Sequence, residues 1–143
     1  MATHSSSVAN RGVVQAVHAG VNYAFASFVS GGTNTPFSRS VSDAIVMFNL
    51  PRNSKVIAAW LGGATVDGNA GFSLGDPGST TRHGTLSISA TTKQAIAFAE
   101  LAQGFVYSVS DDQTSYPLTL NLQNTTSTSG SLSVHVGLIW VKV

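Results

Sequence analysis

The side chains that could bind a metal ion or transfer protons are few and lie far apart in this chain. The sequence has four histidines, at positions His4, His18, His83 and His135. No two of them are two or four residues apart, the spacings at which a strand or a helix presents two imidazoles to one metal ion. His18 and His135 fall on the polar sides of predicted strands, where a solvated histidine is the ordinary case. The histidines therefore predict no metal site.

The acidic residues give no catalytic pair either. There are six of them, at positions Asp43, Asp67, Asp76, Glu100, Asp111 and Asp112. A paired-carboxylate hydrolase needs two that converge in one cleft, whereas Asp111 and Asp112 are consecutive and are predicted to form a turn. A calcium loop needs more oxygen ligands than this segment supplies. The sequence also lacks a glycine-rich phosphate loop, and no spacing in it ties a nucleophile to a base. We therefore predict that the protein is not an enzyme and has no metal ion or cofactor.

One pair of charged residues lies in a segment with defined turn chemistry, Gly75-Asp76-Pro77-Gly78-Ser79-Thr80-Thr81-Arg82-His83-Gly84. Pro77 and Gly78 suit the central positions of a type II turn, because proline fixes φ and glycine accepts a positive φ. Asp76 is predicted to accept backbone N–H groups across the turn, and the Arg82 guanidinium to donate two hydrogen bonds to its carboxylate. The pair is either a surface ion pair worth about 0–1 kcal/mol or a contact that fixes the loop in one shape to fit a neighbouring molecule.

Alternation of apolar and polar residues predicts that strands carry these side chains. The alternation occupies residues 13–28, 72–74, 86–88, 105–110, 118–123 and 131–138, and shorter apolar runs occupy 44–48 and 56–61. About eight strands separated by turns are typical of a sandwich or barrel. The pattern alone predicts an all-β fold, an antiparallel sandwich or barrel. Residues 93–103 could form either a short helix or a strand with a turn.

The two ends of the chain differ from the middle. Residues 1–12 are polar and aperiodic, so we predict an extended N-terminal arm on a β-sandwich domain of residues 13–143. Such an arm either docks on its own domain or reaches a neighbouring subunit; we favour the second, with Thr3, His4 and Arg11 as contact residues. The last strand, residues 137–143, is apolar on both faces, so it is either central in its sheet or covered by a partner.

The large aromatic residues allow more than one interpretation. Trp60 and Trp140 are predicted to be anchors at the centre of an interface, because tryptophan contributes most where it is fully desolvated. The same rings could pack in the core. Together with Tyr107 and Tyr116 they could also line a sugar-binding face.

The composition indicates a surface that other polypeptides cover. Charged residues make up 9% of the chain, against about 25% in ordinary domains, and there are 20 Ser and 14 Thr. The net charge of +1 argues against nucleic-acid binding, which needs clustered Lys and Arg. No apolar run approaches the roughly 20 residues of a membrane span, and no secretory signal is visible. The absence of cysteine fits a reducing cytoplasm. A structural building block is the class that remains.

The order of turns resembles that of small virion structural proteins of tailed bacteriophages. The similarity rests on Leu50-Pro51-Arg52-Asn53-Ser54-Lys55-Val56-Ile57, followed by Phe72-Ser73-Leu74-Gly75-Asp76, a polar turn and Arg82. It covers roughly residues 41–90. The resemblance implies a jelly-roll or β-sandwich module that decorates or cements heads, or belongs to tails or necks. It also implies a place in the virion, after assembly in the host cytoplasm.

We therefore expect a non-enzymatic structural subunit of a phage virion, most simply a capsid decoration or cement protein that bridges neighbouring subunits. The expected partners are further copies of the chain, with a trimer plausible, and the major capsid protein or other virion proteins. The expected interface residues are Thr3, His4, Arg11, Trp60, Asp76, Arg82 and Trp140. A tail or neck protein is one alternative, and a carbohydrate-binding, lectin-like receptor module is another. Exposed rings in one groove would favour the lectin, and rings buried between chains would favour the cement protein.

Overall fold

The alternating segments form two sheets, with the turn residues between their strands. The computed structural model describes residues 3–10, 12, 21–30, 44–66, 69–89, 96–98, 105–107, 115–125 and 132–143. The elements are, in chain order, β1 (Thr3–Ser5), α1 (Ser7–Asn10), β2 (Val21–Ser30), β3 (Ala44–Pro51), β4 (Ser54–Val66), β5 (Asn69–Gly75), β6 (Thr85–Ser89), β7 (Ile96–Ala97), β8 (Ser115–Thr125) and β9 (Leu132–Lys142). Among the described residues, no helix is long and apolar enough to cross a membrane.

The strand order identifies the architecture. The four-stranded sheet has the order β2-β9-β4-β7, and the five-stranded sheet has the order β1-β3-β8-β5-β6. Apart from the parallel strand β1, all neighbours pair antiparallel. Each sheet thus takes strands from both ends of the chain, as in a jelly roll, the double-sheet fold of eight strands. The predicted all-β, jelly-roll-like sandwich is confirmed.

Apolar side chains from both sheets fill the space between them. The largest fully buried ones include Phe48, Phe72, Leu118 and Leu120 from the five-stranded sheet and Trp140 from the four-stranded sheet. Each such side chain contributes about 1.5–3 kcal/mol when it is removed from water. This core holds the two sheets in a fixed relation, and so it fixes which residues the outer faces present.

β9 lies between β2 and β4, so the central position that its sequence allows is confirmed. Leu138 and Trp140 point into the core, whereas Ile139 and Val141 point outward and are only half-buried. The central position of β9 explains why its inward side chains are apolar. Within the described residues, this position does not explain why the outward side chains are apolar too.

β2 alternates as predicted, but its apolar side faces away from the core. Asn22 and Ala26 are buried, while Val21, Tyr23 and Phe25 are exposed. The inward positions carry the polar Asn22 and the small Ala24 and Ala26, and Phe28 also packs against the core. β2 is the edge strand of its sheet and covers only the margin of the core. The large apolar residues of this strand are therefore available to another molecule.

The ambiguous segment at 93–103 is described only at residues 96–98, where Ile96 and Ala97 form the short strand β7 against β4. The turn predicted at Asp111 and Asp112 lies outside the described residues.

The first residues of the chain pack on their own domain. Strand β1 pairs in parallel with β3 at the edge of the five-stranded sheet. The buried Ser6 then links the arm to β3, because its hydroxyl donates to the carbonyl oxygen of Met47 (2.7 Å) and accepts the N–H of Ala9 (3.0 Å). The second of these contacts caps the short helix α1. Docking on the same domain is one of the two alternatives for the arm, and contact with a neighbouring subunit stays a prediction.

Candidate functional site

The outer face of the four-stranded sheet is apolar and, within the described residues, uncovered. The strand register places its outward positions in four rows across β4, β9 and β2. These rows are Lys55 with Val141 and Val21; Ala58 with Ile139 and Tyr23; Trp60 with Gly137 and Phe25; and Gly62 with His135 and Ser27. We call these positions the apolar face. Val21 is 61% exposed, Tyr23 66% and Phe25 48%.

A depression with a volume of about 340 Å³ lies in the middle of the apolar face. The rings of Tyr23, Phe25, Trp60 and His135 surround it, and Gly137 lies between them. A Cβ atom on Gly137 would lie 3.4 Å from the Trp60 ring and 3.4 Å from the Tyr23 hydroxyl. Glycine at this position therefore keeps the depression open. Its volume is at the lower end of the range of about 300–1,000 Å³ for ligand pockets.

The outer face of the five-stranded sheet is polar, and the 76–84 loop of the same chain covers part of it. Ser73, Thr119 and Asn121 point outward from β5 and β8, yet all three are buried. The Ser73 hydroxyl and the Asn121 amide both donate to the carbonyl oxygen of Thr80, at 2.7 and 3.2 Å. A Cβ atom on Gly75 would collide with the backbone of the loop, so the loop lies directly on this sheet.

An ion pair fixes the shape of the loop. Arg82 donates from Nε to Oδ2 of Asp76 (2.5 Å) and from Nη2 to Oδ1 (3.1 Å). The same Oδ1 accepts the backbone N–H groups of Gly78 (2.8 Å) and Ser79 (3.0 Å). The predicted pair and its backbone contacts are thus confirmed.

The predicted type II turn is wrong, because Gly78 does not have the positive φ that this turn requires. Glycine serves here to leave space for the ion pair. A Cβ atom on Gly78 would lie 3.1 Å from Oδ1 of Asp76 and 3.3 Å from Nη2 of Arg82. The close approach of residue 78 to the ion pair, and not a positive φ, is therefore the reason for glycine at this position.

Tyr107 and His83 extend the ion pair into the protein interior. The Tyr107 hydroxyl donates to Oδ2 of Asp76 (2.9 Å). That hydroxyl has one hydrogen, and a carboxylate only accepts. The Nε2 atom of His83, 2.9 Å from the Tyr107 oxygen, therefore carries a hydrogen and donates it to that oxygen. His83, Tyr107 and Asp76 thus form a chain of hydrogen bonds that ends on the carboxylate.

Burial and hydrogen bonding set the charges in this network. Burial raises the pKa of Asp76, but the hydrogen bonds from Arg82, Tyr107 and the Ser79 N–H outweigh it and leave that pKa below its ordinary value. The hydrogen bond to Asp76 raises the pKa of Arg82. Burial raises the pKa of Tyr107 and lowers the pKa of His83 to about 4. At neutral pH the network holds one carboxylate, one guanidinium and two neutral rings.

Aromatic contacts complete the attachment of the loop. The Arg82 guanidinium carbon lies 3.7 Å from the centroid of the Phe105 ring, a cation–π contact. Phe105 in turn packs edge-on against Tyr107, with 5.0 Å between ring centroids. The exposed residues that this framework presents to solvent are Pro77, Gly78, Thr80 and Thr81.

The residues that the sequence singled out are spread over several surfaces. Trp140 lies in the core, as do Tyr107 and Tyr116, so Trp140 is not available as an interface anchor in the folded domain. Trp60 lies on the apolar face. Thr3 is exposed on β1, the strand that also contains His4. Arg11 lies outside the described residues.

Sequence reasoning did not assign Tyr23 and Phe25 to a surface site. Their alternation with Asn22 showed that the strand has two unlike sides, but it did not show which side faces the core. Sequence reasoning also missed the hydrogen bonds that connect His83 and Tyr107 to Asp76. Tyr107 is far from the other two residues in the sequence, and no local pattern connects it to them.

The chemistry of these surfaces is that of contact with other molecules. Among the described residues, no three His, Cys, Asp or Glu side chains are grouped so that they could hold a metal ion. The titratable groups Asp76 and His83 are buried, and their hydrogen bonds go to the chain itself. The apolar face carries mainly hydrocarbon and aromatic side chains, which bind by burial of apolar surface.

Comparison with known proteins supports the fold. No family model matches the chain, and no curated protein matches it. A chain in the solved capsid asymmetric unit of cyanophage Pam1 is similar in structure, with a TM-score of 0.62 and 22% sequence identity over 92% of this chain and 93% of that one. At this identity the likeness establishes that the two chains share a fold over nearly their whole lengths.

Proposed function

We propose that this protein is a non-enzymatic structural subunit of a phage virion, and more specifically a capsid decoration or cement protein that bridges neighbouring subunits. The observation that carries the proposal is the apolar face. A chain with so few charges exposes Tyr23 and Phe25 side by side on an open sheet, and large exposed apolar patches mark sites of contact with other proteins. The shared fold with a chain of a cyanophage capsid unit supports the placement in a virion.

The 76–84 loop supplies a second contact surface in this proposal. The ion pair between Asp76 and Arg82 holds the exposed residues Pro77, Thr80 and Thr81 in one shape before any partner arrives. A loop that is already ordered loses little conformational entropy when it binds. The role of Asp76 and Arg82 at an interface is thus to position the loop rather than to touch the partner.

The arm adds a third contact surface. β1 is the outermost strand of its sheet, and Thr3 and Ser5 are exposed. An outermost strand can accept a strand from a neighbouring protein through backbone hydrogen bonds. Residues 1–12, with Thr3, His4 and Arg11, would then bridge adjacent subunits while residues 3–10 remain seated on their own domain.

Addition of the purified protein to expanded phage capsid shells tests the proposal. A cement protein binds the assembled shell and raises its unfolding temperature by mass action. Removal of residues 1–11 should reduce this gain, whereas Ser87→Asp, an exposed change on β6, should leave it intact. A shell whose unfolding temperature does not respond to the wild-type protein would contradict a cement role. Binding to isolated tails or necks, and not to heads, would favour the alternative location.

Carbohydrate binding is the second candidate function, because the exposed rings of Tyr23 and Phe25 and the half-buried ring of Trp60 surround one depression. Stacked rings of this kind suit the apolar faces of sugars. Calorimetric titration with soluble glycans from the host cell surface tests it. Saturable binding that Phe25→Asp abolishes would support the lectin function. The absence of any heat of binding would exclude that function.

A further inference from the structure

The apolar face is suited to contact with another molecule, and its composition indicates which molecule that is. We propose that a second copy of this chain covers it, so that the apolar face is the interface between subunits of a homo-oligomer. This proposal rests on the proposed function and deepens it, because it names the partner of the same face.

The apolar face is nearly uncharged. Among the outward positions of the four rows, Lys55 carries the one formal charge, and it stands at a corner. A partner with a strongly charged surface would bury its charges against hydrocarbon without counterions, which is unfavourable. A copy of the same face brings mainly apolar side chains and places its own Lys55 at the margin, where solvent reaches it.

Shape is the second argument. The apolar face has both a depression, around Gly137, and side chains that project from it, notably Val21 and Tyr23. A surface that contains both features can be complementary to itself. Under two-fold symmetry the same patch of each copy meets its counterpart, so the projecting side chains of each subunit would enter the depression of the other.

Size is the third argument. With strands about 4.8 Å apart and about 3.3 Å of rise per residue, the four rows cover an area on the order of 400 Å². A stable interface buries about 800 Å² per partner, with an apolar centre inside a polar rim. The apolar face has the dimensions of such a centre.

The polar groups of the depression distinguish a protein partner from a sugar. The side-chain hydrogen-bonding groups of the residues that line it are the Tyr23 hydroxyl, the Trp60 indole N–H and the ring nitrogens of His135. A sugar has many hydroxyl groups that must be hydrogen-bonded when they are buried. An apolar protein surface makes no such demand, and so it fits the lining better.

The mass of the full-length protein in solution tests this proposal without any capsid shell. Sedimentation velocity over a range of concentrations should show a multiple of the monomer mass of 14.8 kDa. The single variant Phe25→Asp should weaken the association at least about thirtyfold, as expected for the loss of an aromatic residue at the centre of an interface. The matched control, Ser87→Asp, places the same charge on an exposed position of the other sheet and should not change the mass.

Two safeguards keep the result interpretable. The double variant Tyr23→Thr with Phe25→Thr keeps residues that favour strands and should also dissociate the oligomer. Circular dichroism should show that each variant is folded. A wild-type monomer at all concentrations, or a Phe25→Asp variant that stays oligomeric, would overturn the proposal.

The failure of this proposal and that of the proposed function give different results. A monomer that still stabilises capsid shells would overturn the interface assigned here and keep the cement role. An oligomer that dissociates with Phe25→Asp but does not bind shells would keep the interface and overturn the cement role. A monomer whose apolar face binds a glycan would overturn the interface in favour of a sugar site.

Discussion

The outer faces of the two sheets of this jelly roll differ in their side chains and in what covers them. On the five-stranded sheet, the outward side chains Ser73 and Asn121 are polar, and the 76–84 loop of the same chain covers them with hydrogen bonds. On the four-stranded sheet, the outward side chains Tyr23 and Phe25 are apolar and, in the described part of the chain, remain exposed. The first face is completed by the subunit itself, and the second is completed by another molecule in our account.

This difference teaches that a low charge content does not describe every surface of the molecule equally. The serine and threonine side chains at the covered face are buried partners of a loop rather than a solvated coat. In our account the main surface offered to other proteins is the apolar face, where polar residues are scarce. Four changes separate the two faces experimentally, and they follow from the largest expected effect to the smallest.

Asp76→Ala should affect the covered face alone and most strongly. The change leaves the Arg82 guanidinium, whose side chain is 21% exposed, and the Tyr107 hydroxyl without their acceptor. Loss of one partner from a largely buried pair costs about 3–4 kcal/mol. Urea unfolding measures the loss, and Asp76→Asn, which keeps an acceptor oxygen, should lose less. An unchanged free energy of unfolding would show that the network does not hold the loop.

Acid should weaken the same face. Burial lowers the pKa of His83 to about 4 in the folded protein, against its ordinary value of 6.5, so the unfolded chain binds a proton more readily. The free energy of unfolding should therefore fall by about 2–3 kcal/mol as the pH decreases from 6.5 to 4. The lowered pKa of Asp76 adds a further loss at lower pH. Denaturant titrations at several pH values measure the slope. His83→Gln should flatten it between pH 6.5 and 4, and a wild-type protein with no slope there would contradict the buried neutral imidazole.

Tyr107→Phe should have an intermediate effect. The variant keeps the ring contacts with Phe105 and removes the hydroxyl that joins His83 to Asp76. We expect a loss of about 1–2 kcal/mol, since two buried polar groups lose one partner each. Thermal unfolding checks it. Tyr23→Phe is the control, because it removes a hydroxyl from an exposed ring and should leave the stability of the isolated subunit unchanged.

Gly137→Ala should have the smallest effect on stability and act on the other face. The new Cβ atom would lie 3.4 Å from Trp60 and from the Tyr23 hydroxyl, so the fold accommodates it at a cost of less than about 1 kcal/mol. The methyl group would partly fill the depression, and self-association should weaken severalfold in sedimentation experiments. Tighter association would show that the depression is not occupied by a neighbouring subunit.

The sequence could predict the features that depend on local chemistry. Alternation predicted the strands and a sandwich or barrel, because a strand between two environments has a period of two. The resemblance to phage virion proteins narrowed this prediction to a jelly roll. The spacing of Asp76 and Arg82 within one loop was enough to predict their ion pair. The turn type was wrong because a glycine can be required for space as well as for φ, and the sequence does not distinguish the two reasons.

Other features depend on which elements meet in space. The alternation in β2 could not show that Asn22 faces the core and Tyr23 faces outward, because both arrangements have the same period. Trp60 and Trp140 both lie in apolar strand segments, yet one is on the apolar face and the other is in the core. The contact of Tyr107 with Asp76 joins residues 31 positions apart, and no local pattern indicates it.

The central claim is that protein covers the apolar face in the working molecule. Hydroxyl-radical footprinting of the assembled wild-type protein, read by mass spectrometry at individual residues, tests it most directly. Our account predicts that Tyr23 and Phe25 are oxidised slowly in the assembly, at a rate near that of the buried Tyr107. It also predicts that Tyr23 is oxidised rapidly in the Phe25→Asp variant. Rapid oxidation of Tyr23 and Phe25 in the wild-type assembly, as expected for rings in contact with water, would contradict the account.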